Sequence, residues 1–417
     1  MLDVEFEKLL KDIRENVFNN DFLDLSGQAL IDEKIIQLAE ALKSNSYIKK
    51  INLSYNDIGD DGVIAVSKIN TINELDLHNG LDGYSEYYNH ITLIGAQAIA
   101  KSNLKKLNIN GNLIGDDGFK FLATNKSIIE LEVEDCGISA NGSAEFFKTN
   151  DTVLKLNLQG NIIGDQGLVT IRNNNRLKEL NLSNCQITYV GAKFIGENSS
   201  LINLKLNNNK IGKEGACYLA KHIGLKILNL SECEITDGDL DSFAENKVIT
   251  ELYLQYNNIT ANGVRKIAEN STITILHLEH NNIYFDKETL QLLLSMKSLQ
   301  ILHGENNEVS DDIKEILKDS CSKFSVQHVD LTVHKAINSP ICLQYNAKTL
   351  YSREAKRKAE ELFSSTNIKV FISEANQEQI NDFILEVTGI IKQTWEQEHP
   401  KSIHTASNVE LLRYIQR

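Results

Sequence analysis

Between Leu154 and Gly263 the chain repeats itself five times: LKLNLQGNIIGDQG, LKELNLSNCQITYVG, LINLKLNNNKIGKEG, LKILNLSECEITDG and ITELYLQYNNITANG. Each copy reads as a short strand with alternate apolar residues, one buried polar residue, an isoleucine and a turn into a helical stretch. The polar residue recurs as Asn56, Asn89, Asn112, Cys136, Asn161, Cys185, Asn209, Cys233, Asn257, Asn281 and Asn307. From Asn89 to Asn281 its steps are 23, 24, 25 and then 24 five times. A unit that short cannot bury its apolar face alone, so neighbours must stack into one continuous core.

The polar slot has a physical requirement. Where the strand turns inward it buries backbone groups that no sheet partner reaches, and a side-chain amide supplies both a donor and an acceptor to them. A thiol is a compact, weakly donating substitute, so Cys136, Cys185 and Cys233 read as structural. The second half of each unit turns at a glycine, among them Gly62, Gly95, Gly118, Gly142, Gly167, Gly191, Gly215 and Gly263. It then places apolar residues at helical spacing, as in Phe119, Leu122 and Ala123. The fold class expected is α/β: a horseshoe solenoid with a parallel sheet on its concave side and helices on its convex side. About twelve strands at ~4.8 Å spacing give an inner face on the order of 50 Å long, which has room for a folded protein domain.

Three regions follow. Residues 1–21 hold an amphipathic capping helix whose stripe is Leu2, Phe6, Leu9, Leu10, Ile13 and Val17. Residues 22–319 hold about twelve repeats, opened by a divergent unit at Leu23 and Leu25 with Gln28 in the slot and closed near Gly304. Residues 320–417 lose the period and read as a small α/β or helical domain: strands at KFSVQHVDLTV and NIKVFIS, helices at SREAKRKAEELFSS, ANQEQINDFILEVTGIIKQTWEQE and SNVELLRYIQR. One irregularity lies inside the repeats. The step from Asn56 to Asn89 is 33, which locates an insertion at about Asn79 to Tyr87, carrying Tyr84 and Tyr87 and followed by Tyr88. It leaves directly after a strand and should overhang the inner face.

The net charge is −14, and residues 320–417 hold 12 Lys+Arg against 11 Asp+Glu, so the repeats carry the acidity. A surface of that sign repels phosphate backbones, disfavouring nucleic acid and anionic membrane; a neutral or basic protein partner fits. The first residues lack the apolar run of a secretory signal, no membrane span is evident, and the cysteines do not suggest a disulfide framework, which together point to a reducing, cytosolic compartment. No phosphate-binding glycine loop, nucleophile elbow or H-E-x-x-H is present. Cys321, His328, His334 and Cys342 fit no compact zinc pattern. No cofactor and no metal is expected, although His277, Glu279 and His280 are capable ligand types.

The face of the sheet is more informative. One outward column reads Asn52, Asp76, Asn108, Glu132, Asn157, Asn181, Lys205, Asn229, Tyr253, His277 and His303. Short polar residues dominate, with two departures: acids at Glu130, Glu132, Glu134 and Asp135, and rings at Tyr253, Tyr256, His277, His280 and His303. Exposed rings are enriched at protein interfaces, so these rings, with Glu132, Glu134, Tyr84 and Tyr87, are the candidate partner-binding residues. The rings of two successive strands should form one contiguous patch.

The L-x-x-L-x-L-x-x-(Asn/Cys)-x-Ile pattern is identified as the leucine-rich-repeat signature, and the strict Asn and Cys alternation between Asn112 and Asn257 resembles the ribonuclease-inhibitor-like type. That resemblance covers about residues 22–319 and implies a non-catalytic scaffold that binds a protein on its concave face. The short period and the Asn- and Lys-rich composition are similar to leucine-rich-repeat effectors that intracellular bacterial pathogens deliver into host cells. That likeness implies a host protein as partner and a delivery signal near the C-terminus, for which WEQEH and LLRYIQR are the candidates. The alternative is an enzyme with a catalytic C-terminal domain and repeats that select its substrate. Oligomeric state is not legible.

Overall fold

The computed structural model describes residues 1–17, 20–79 and 87–311 and, beyond them, the backbone of three short strands, Thr332–His334, Leu343–Asn346 and Val370–Ser373. The chain divides into two compact units, Met1–Leu331 and Thr332–Arg417. In the first, twelve short strands from Phe22–Asp24 to Ile301–His303 pair in parallel, each with the next in sequence. Their central residues stack in register, Leu23 on Ile51, Ile51 on Leu75, and so on to Leu276 on Leu302, and each is almost fully buried. Helices return the chain between strands and pack on one another in sequence order, giving the leucine-rich-repeat solenoid expected from the period. The core lies between the two layers; Phe119 stacks on Phe146 at 4.5 Å, and Phe147 meets Phe146 edge-on at 6.1 Å.

The slot residues do what their chemistry requires. Asn209 Oδ1 accepts the N–H groups of Cys185 and Ile187 at 3.2 and 2.8 Å, while its Nδ2 donates to the carbonyls of Leu182 and Leu206, both at 2.8 Å. Each asparagine thus closes its own turn and the turn of the preceding repeat. The cysteines reproduce only the donor half: Cys185 Sγ donates to Leu158 O at 3.1 Å and Cys136 Sγ to Ile109 O at 3.3 Å. The acceptor half is replaced by a change in the preceding turn, where Gly115, Gly164 and Gly212 adopt positive φ and donate their N–H to the backbone carbonyls of Cys136, Cys185 and Cys233. A side chain resists that conformation. The alternation of Asn and Cys is therefore coupled to an alternation of Gly and Ser/Thr three residues later.

Aspartates couple neighbouring repeats a second time. Asp165 Oδ1 accepts the N–H groups of Thr188 and Gly191 at 2.8 and 2.9 Å, and its Oδ2 accepts the Thr188 hydroxyl at 2.6 Å. Thr188 is the N-cap of the next helix, Tyr189–Gly196. Asp60 with Thr92 and Asp237 with Thr260 repeat the arrangement. The glycines expected as turns lie instead inside the first helical turn. A Cβ on Gly191 would stand 2.6 Å from Asp165 Oδ1, and one on Gly263 2.5 Å from Asp237 Oδ1, so these two leave room for a carboxylate, whereas a Cβ on Gly118 or Gly215 would meet the side chain of Ile114 or Ile211.

A second asparagine ladder runs along the helix ends. Asn174 Nδ2 donates to the carbonyls of Phe147 and Asn150 while its Oδ1 accepts the N–H groups of Arg176 and Leu177; Asn150, Asn198, Asn246 and Asn270 act alike. His222 takes the same place, its Nδ1 accepting from Gly224 and Leu225, and burial pushes its pKa down.

Two expectations are corrected. The first helix spans Asp3–Arg14 and buries only Phe6, Leu10 and Ile13, leaving Leu2 and Val17 exposed. It stops because Asn16 turns to a φ of 54°, a conformation that ends helices, and it packs on the helix Asp32–Leu42. The convex layer also departs from α-helix in the Asn161 repeat, where Asp165–Leu168 and Ile171–Asn173 are 3₁₀ turns; consecutive β-branched Val169, Thr170 and Ile171 disfavour a continuous α-helix there.

In the second unit Leu343–Asn346 and Val370–Ser373 pair in parallel. Thr332–His334 and Val370–Ser373 fall on the two strands expected from sequence, while Leu343–Asn346 is an additional one. The three C-terminal helices and the delivery candidates lie outside the described residues.

Two substitutions test this account. Asn209→Leu should destabilise by about 1–3 kcal/mol through unpaired buried backbone groups, and Asn207→Ala, on the partly exposed face, by much less; equal, small losses in chemical denaturation would contradict the slot assignment. Gly191→Ala should cost about 1–3 kcal/mol by overpacking, with the loss non-additive with Asp165→Ala because both act on one contact. Gly238→Ala, where the nearest atom to an added Cβ is 3.8 Å away, should be nearly neutral.

Candidate interaction face

Three columns of side chains cross the inner face. The first stands just before the buried leucines and alternates in sign: Lys50, Glu74, Lys106, Glu130, Lys155, Glu179. Ion pairs run along it, Lys50 to Glu74 at 3.3 Å, Lys106 to Glu130 at 3.0 Å and Lys155 to Glu179 at 3.2 Å, with Lys155 also 3.8 Å from Glu130. Glu130 pushes the pKa of Lys106 up through a hydrogen bond, and Glu179 does the same to Lys155. Beyond Asn203 the column becomes Ile227, Glu251, Ile275 and Ile301. The charge ladder, visible in the sequence only once the columns are aligned, therefore serves the N-terminal part of the face and stops before the rings.

The acidic cluster is largely spoken for. Glu130 sits in that ladder. Glu134 accepts from Asn157 Nδ2 and Gln159 Nε2, and burial, outweighing those bonds, pushes its carboxyl pKa up; burial also raises that of Asp135. Glu132 lines a shallow open depression of about 180 Å³ with Lys155, Asn157, Glu179, Asn181 and Lys205, a charge-mixed surface away from the rings.

The second column explains its own asparagines. Oδ1 of Asn52, Asn108, Asn157, Asn181 and Asn229 accepts the backbone N–H two residues on, at 2.9 to 3.1 Å, and Asp76 does the same for His78. These side chains finish the strand. At the last three strands the column changes to Tyr253, His277 and His303, which stack: ring centroids are 4.2 Å apart with 10° between planes for the first pair and 4.3 Å with 11° for the second. All three are half-buried. The Tyr253 hydroxyl donates to Glu251, and burial followed by that carboxylate pushes its pKa up. His277 Nδ1 is 3.1 Å from Glu279 Oε1 and His303 Nδ1 is 3.6 Å from Glu305 Oε1. Burial works against charge on His303, yet the hydrogen bond and the carboxylates of Glu305 and Glu279 raise its pKa overall.

Tyr256 and His280 form a separate stack, 4.1 Å apart and 10° between planes, in the third column. Both have positive φ, 54° and 52°, because they sit where the chain swings out of the strand. Asn306 Nδ2 is 3.0 Å from His280 Nε2. The expected single patch is thus two parallel stacks, one shielded on the sheet and one exposed at the strand exit. Sequence reasoning missed a further pair, Tyr55 edge-on to His78 at 4.8 Å, in a region next to the insertion.

The insertion begins one residue later than expected. Asn79 is buried, accepts the N–H of Asn89 at 2.7 Å and donates to its carbonyl at 2.8 Å, so the two asparagines clasp the neck. Asn89 fills the slot, donating to the carbonyls of Leu53 and Leu77. Tyr87 is 41% exposed; Tyr84 lies outside the described residues, as do Cys321, His328 and Cys342.

Among the described residues Cys136, Cys185, Cys217 and Cys233 are free thiols. Burial pushes the thiols of Cys136, Cys185 and Cys233 up to about 12, which suits slot residues and not nucleophiles. No helix among the described residues is long and apolar enough to cross a membrane.

A repeating strand and helix unit, tied to its neighbours by ladders of buried asparagine and presenting a polar sheet, defines a solenoid scaffold of the kind that binds proteins. The chain is a leucine-rich-repeat protein: the Leucine Rich repeat family matches at residues 44–67, 101–123, 149–171, 173–196, 197–220, 225–244 and 245–268. A stretch of 115 residues is 29% identical to RAN GTPase-activating protein 2 of Arabidopsis thaliana, covering 26% of this chain and 20% of that protein, so the match spans about a fifth of the relative's length. In the mouse RP105/MD-1 complex one chain shares the fold with a TM-score of 0.51 and 18% identity, over 73% of this chain and 49% of that one. An internalin of Listeria monocytogenes aligns at a TM-score of 0.49 and 19% identity, over 73% of this chain and 88% of its own.

Removing residues 80–88 joins Asn79 to Asn89 and restores the ordinary spacing from Leu75 to its slot. Stability in chemical denaturation should change by no more than about 0.5 kcal/mol while partner affinity falls. Failure of this deletion variant to fold would show the loop to be structural.

Proposed function

We propose that this protein is a scaffold that binds a protein partner on the inner face of its repeats, with the C-terminal ring stacks as the principal contact. The observation that carries this reading is the change in the second column. From Asn52 to Asn229 most of its side chains finish their own strands, whereas Tyr253, His277 and His303 form no such turn and present a continuous row of flat rings. Rings of this kind are the usual anchors of interfaces. Tyr256 and His280 extend the contact at the strand exit, and Tyr84 and Tyr87 on the insertion, with Glu132 and Glu134, lie in the N-terminal part as secondary contacts.

The partner is neutral or basic at its contact surface, because the repeats carry the net negative charge while their alternating Lys and Glu ladder cancels itself, leaving Glu251, Glu279 and Glu305 beside the rings. The similar fold in the mouse RP105/MD-1 complex belongs to a protein that assembles with another, in keeping with a binding role. The short, regular period and the Asn- and Lys-rich composition support a bacterial effector delivered to the host cytosol, where a host protein is the target. Residues 320–417 form an accessory domain on this reading, and the chain acts by binding rather than by catalysis.

The full chain, used to capture and identify a host partner, supplies the assay. Titration calorimetry on Tyr253→Ala and His277→Ala should show a loss of ~2 kcal/mol or more in binding free energy, while Asn157→Ala and Asn181→Ala, in the same column but distant, change it little. If the distant asparagines matter as much as the rings, the partner docks elsewhere.

A further inference from the structure

We propose that His277, Glu279 and His303 form a binding site for one divalent transition-metal ion of the zinc class on the inner face of the sheet. The site is independent of whether a protein docks there.

The placement follows from register. His277 and His303 are direct neighbours on adjacent parallel strands, and Glu279 stands two residues beyond His277 on the same face. Both rings turn Nδ1 toward the carboxylate two residues on, His277 to Glu279 at 3.1 Å and His303 to Glu305 at 3.6 Å. The imidazole nitrogens and the carboxylates therefore converge on one region between two strands. One ligand atom from each of His277, Glu279 and His303 lies within 4.8 Å of the others.

Shielding separates this set from an ordinary surface pair. The side chains of His277, Glu279, His303 and Glu305 are 14, 18, 21 and 20% exposed, and Glu279 Oε2 is buried without a hydrogen-bond partner. A carboxylate oxygen removed from water with nothing to bind costs free energy, and a cation at this point removes that cost.

The donor chemistry selects the metal. Two imidazole nitrogens and a carboxylate oxygen suit zinc and its neighbours in the first transition row rather than calcium or magnesium, which take oxygen ligands. Zn–N bonds of about 2.0–2.1 Å bring tetrahedral donors to roughly 3.3 Å from one another, so the stacked rings must tilt together slightly; partly exposed side chains at a strand end have that freedom. Three protein ligands leave a fourth position for water or for a group on a bound partner. Glu305, whose Oε1 is 3.6 Å from His303 Nδ1, adds a second carboxylate beside the set. His280, which looked like a third ligand from its place in the sequence, belongs to the other stack and takes no part.

The test uses the full chain, stripped of metal by a chelator. Competition against a chromophoric zinc chelator should give one zinc per chain, with affinity falling at least tenfold in His303→Ala and in Glu279→Gln. The glutamine variant keeps the side chain's shape, so circular dichroism should show it folded as the parent is. Cobalt(II) should produce visible ligand-field bands without the ultraviolet thiolate-to-cobalt band. Absence of stoichiometric zinc, zinc affinity unchanged in both variants, or a thiolate band placing the ion on cysteines such as Cys321 and Cys342 would each overturn the proposal. Because no protein partner is present, a negative result leaves the docking reading intact, and a failure of docking leaves this one intact.

Discussion

The structure depends on one amide placed where each strand turns inward. Without it, every repeat would bury backbone N–H and C=O groups that neither sheet nor helix can reach, at about 1–3 kcal/mol for each group left unpaired. Asn209 shows how much a single side chain resolves: two N–H groups of the preceding repeat and two carbonyls, one from each repeat, find partners in it. The apolar columns supply the larger driving force, but leucines alone would stack in any register. The amide selects the one in which a turn lies against the turn before it.

Cysteine in alternate slots shows that this task can be divided. Cys185 donates but cannot accept as an amide does, so the acceptor is a main-chain carbonyl and the donor a glycine N–H, Gly164 to Cys185. The aspartates link successive repeats whichever residue fills the slot. Asp165 belongs to an Asn repeat and caps the helix of the Cys repeat after it, and Gly191 has no Cβ because that carboxylate occupies the space. Three features that look separate along the chain, an alternating slot, scattered aspartates and recurrent glycines, are parts of one contact between successive repeats.

Most of the solenoid was legible because its determinants recur at a fixed step: the strand leucines, the slot and the helix stripe all follow from it. What was not legible depends on contacts between repeats. The link from Asp165 to Thr188 joins residues 23 apart, and nothing local at either end announces it. The ring stacks were placed on the right strands but joined into one patch, because alternation was carried past the strand's end, where Tyr256 and His280 turn to positive φ and leave the sheet column. The acids looked like a patch because Glu130, Glu132 and Glu134 are close in sequence, whereas Lys106, Lys155 and Gln159, which occupy two of them, come from other repeats. For residues 320–417 the period is gone, and with it the means of reading them.

The alternation also sets the step by which such a molecule can grow or shrink. A single repeat inserted between Asn161 and Cys185 would mismatch turn and slot: a second Asn repeat would follow the Gly164 turn, whose N–H is set to meet a cysteine carbonyl, and a second Cys repeat would follow a turn with a residue such as Thr188 where the positive-φ glycine should be. A pair of repeats inserts without that conflict. Between Asn112 and Asn257 the heritable unit of length is therefore the pair, and lineages of this architecture should differ there by even numbers of repeats, while the segment around Asn281 and Asn307, where asparagine follows asparagine, is free to change by one.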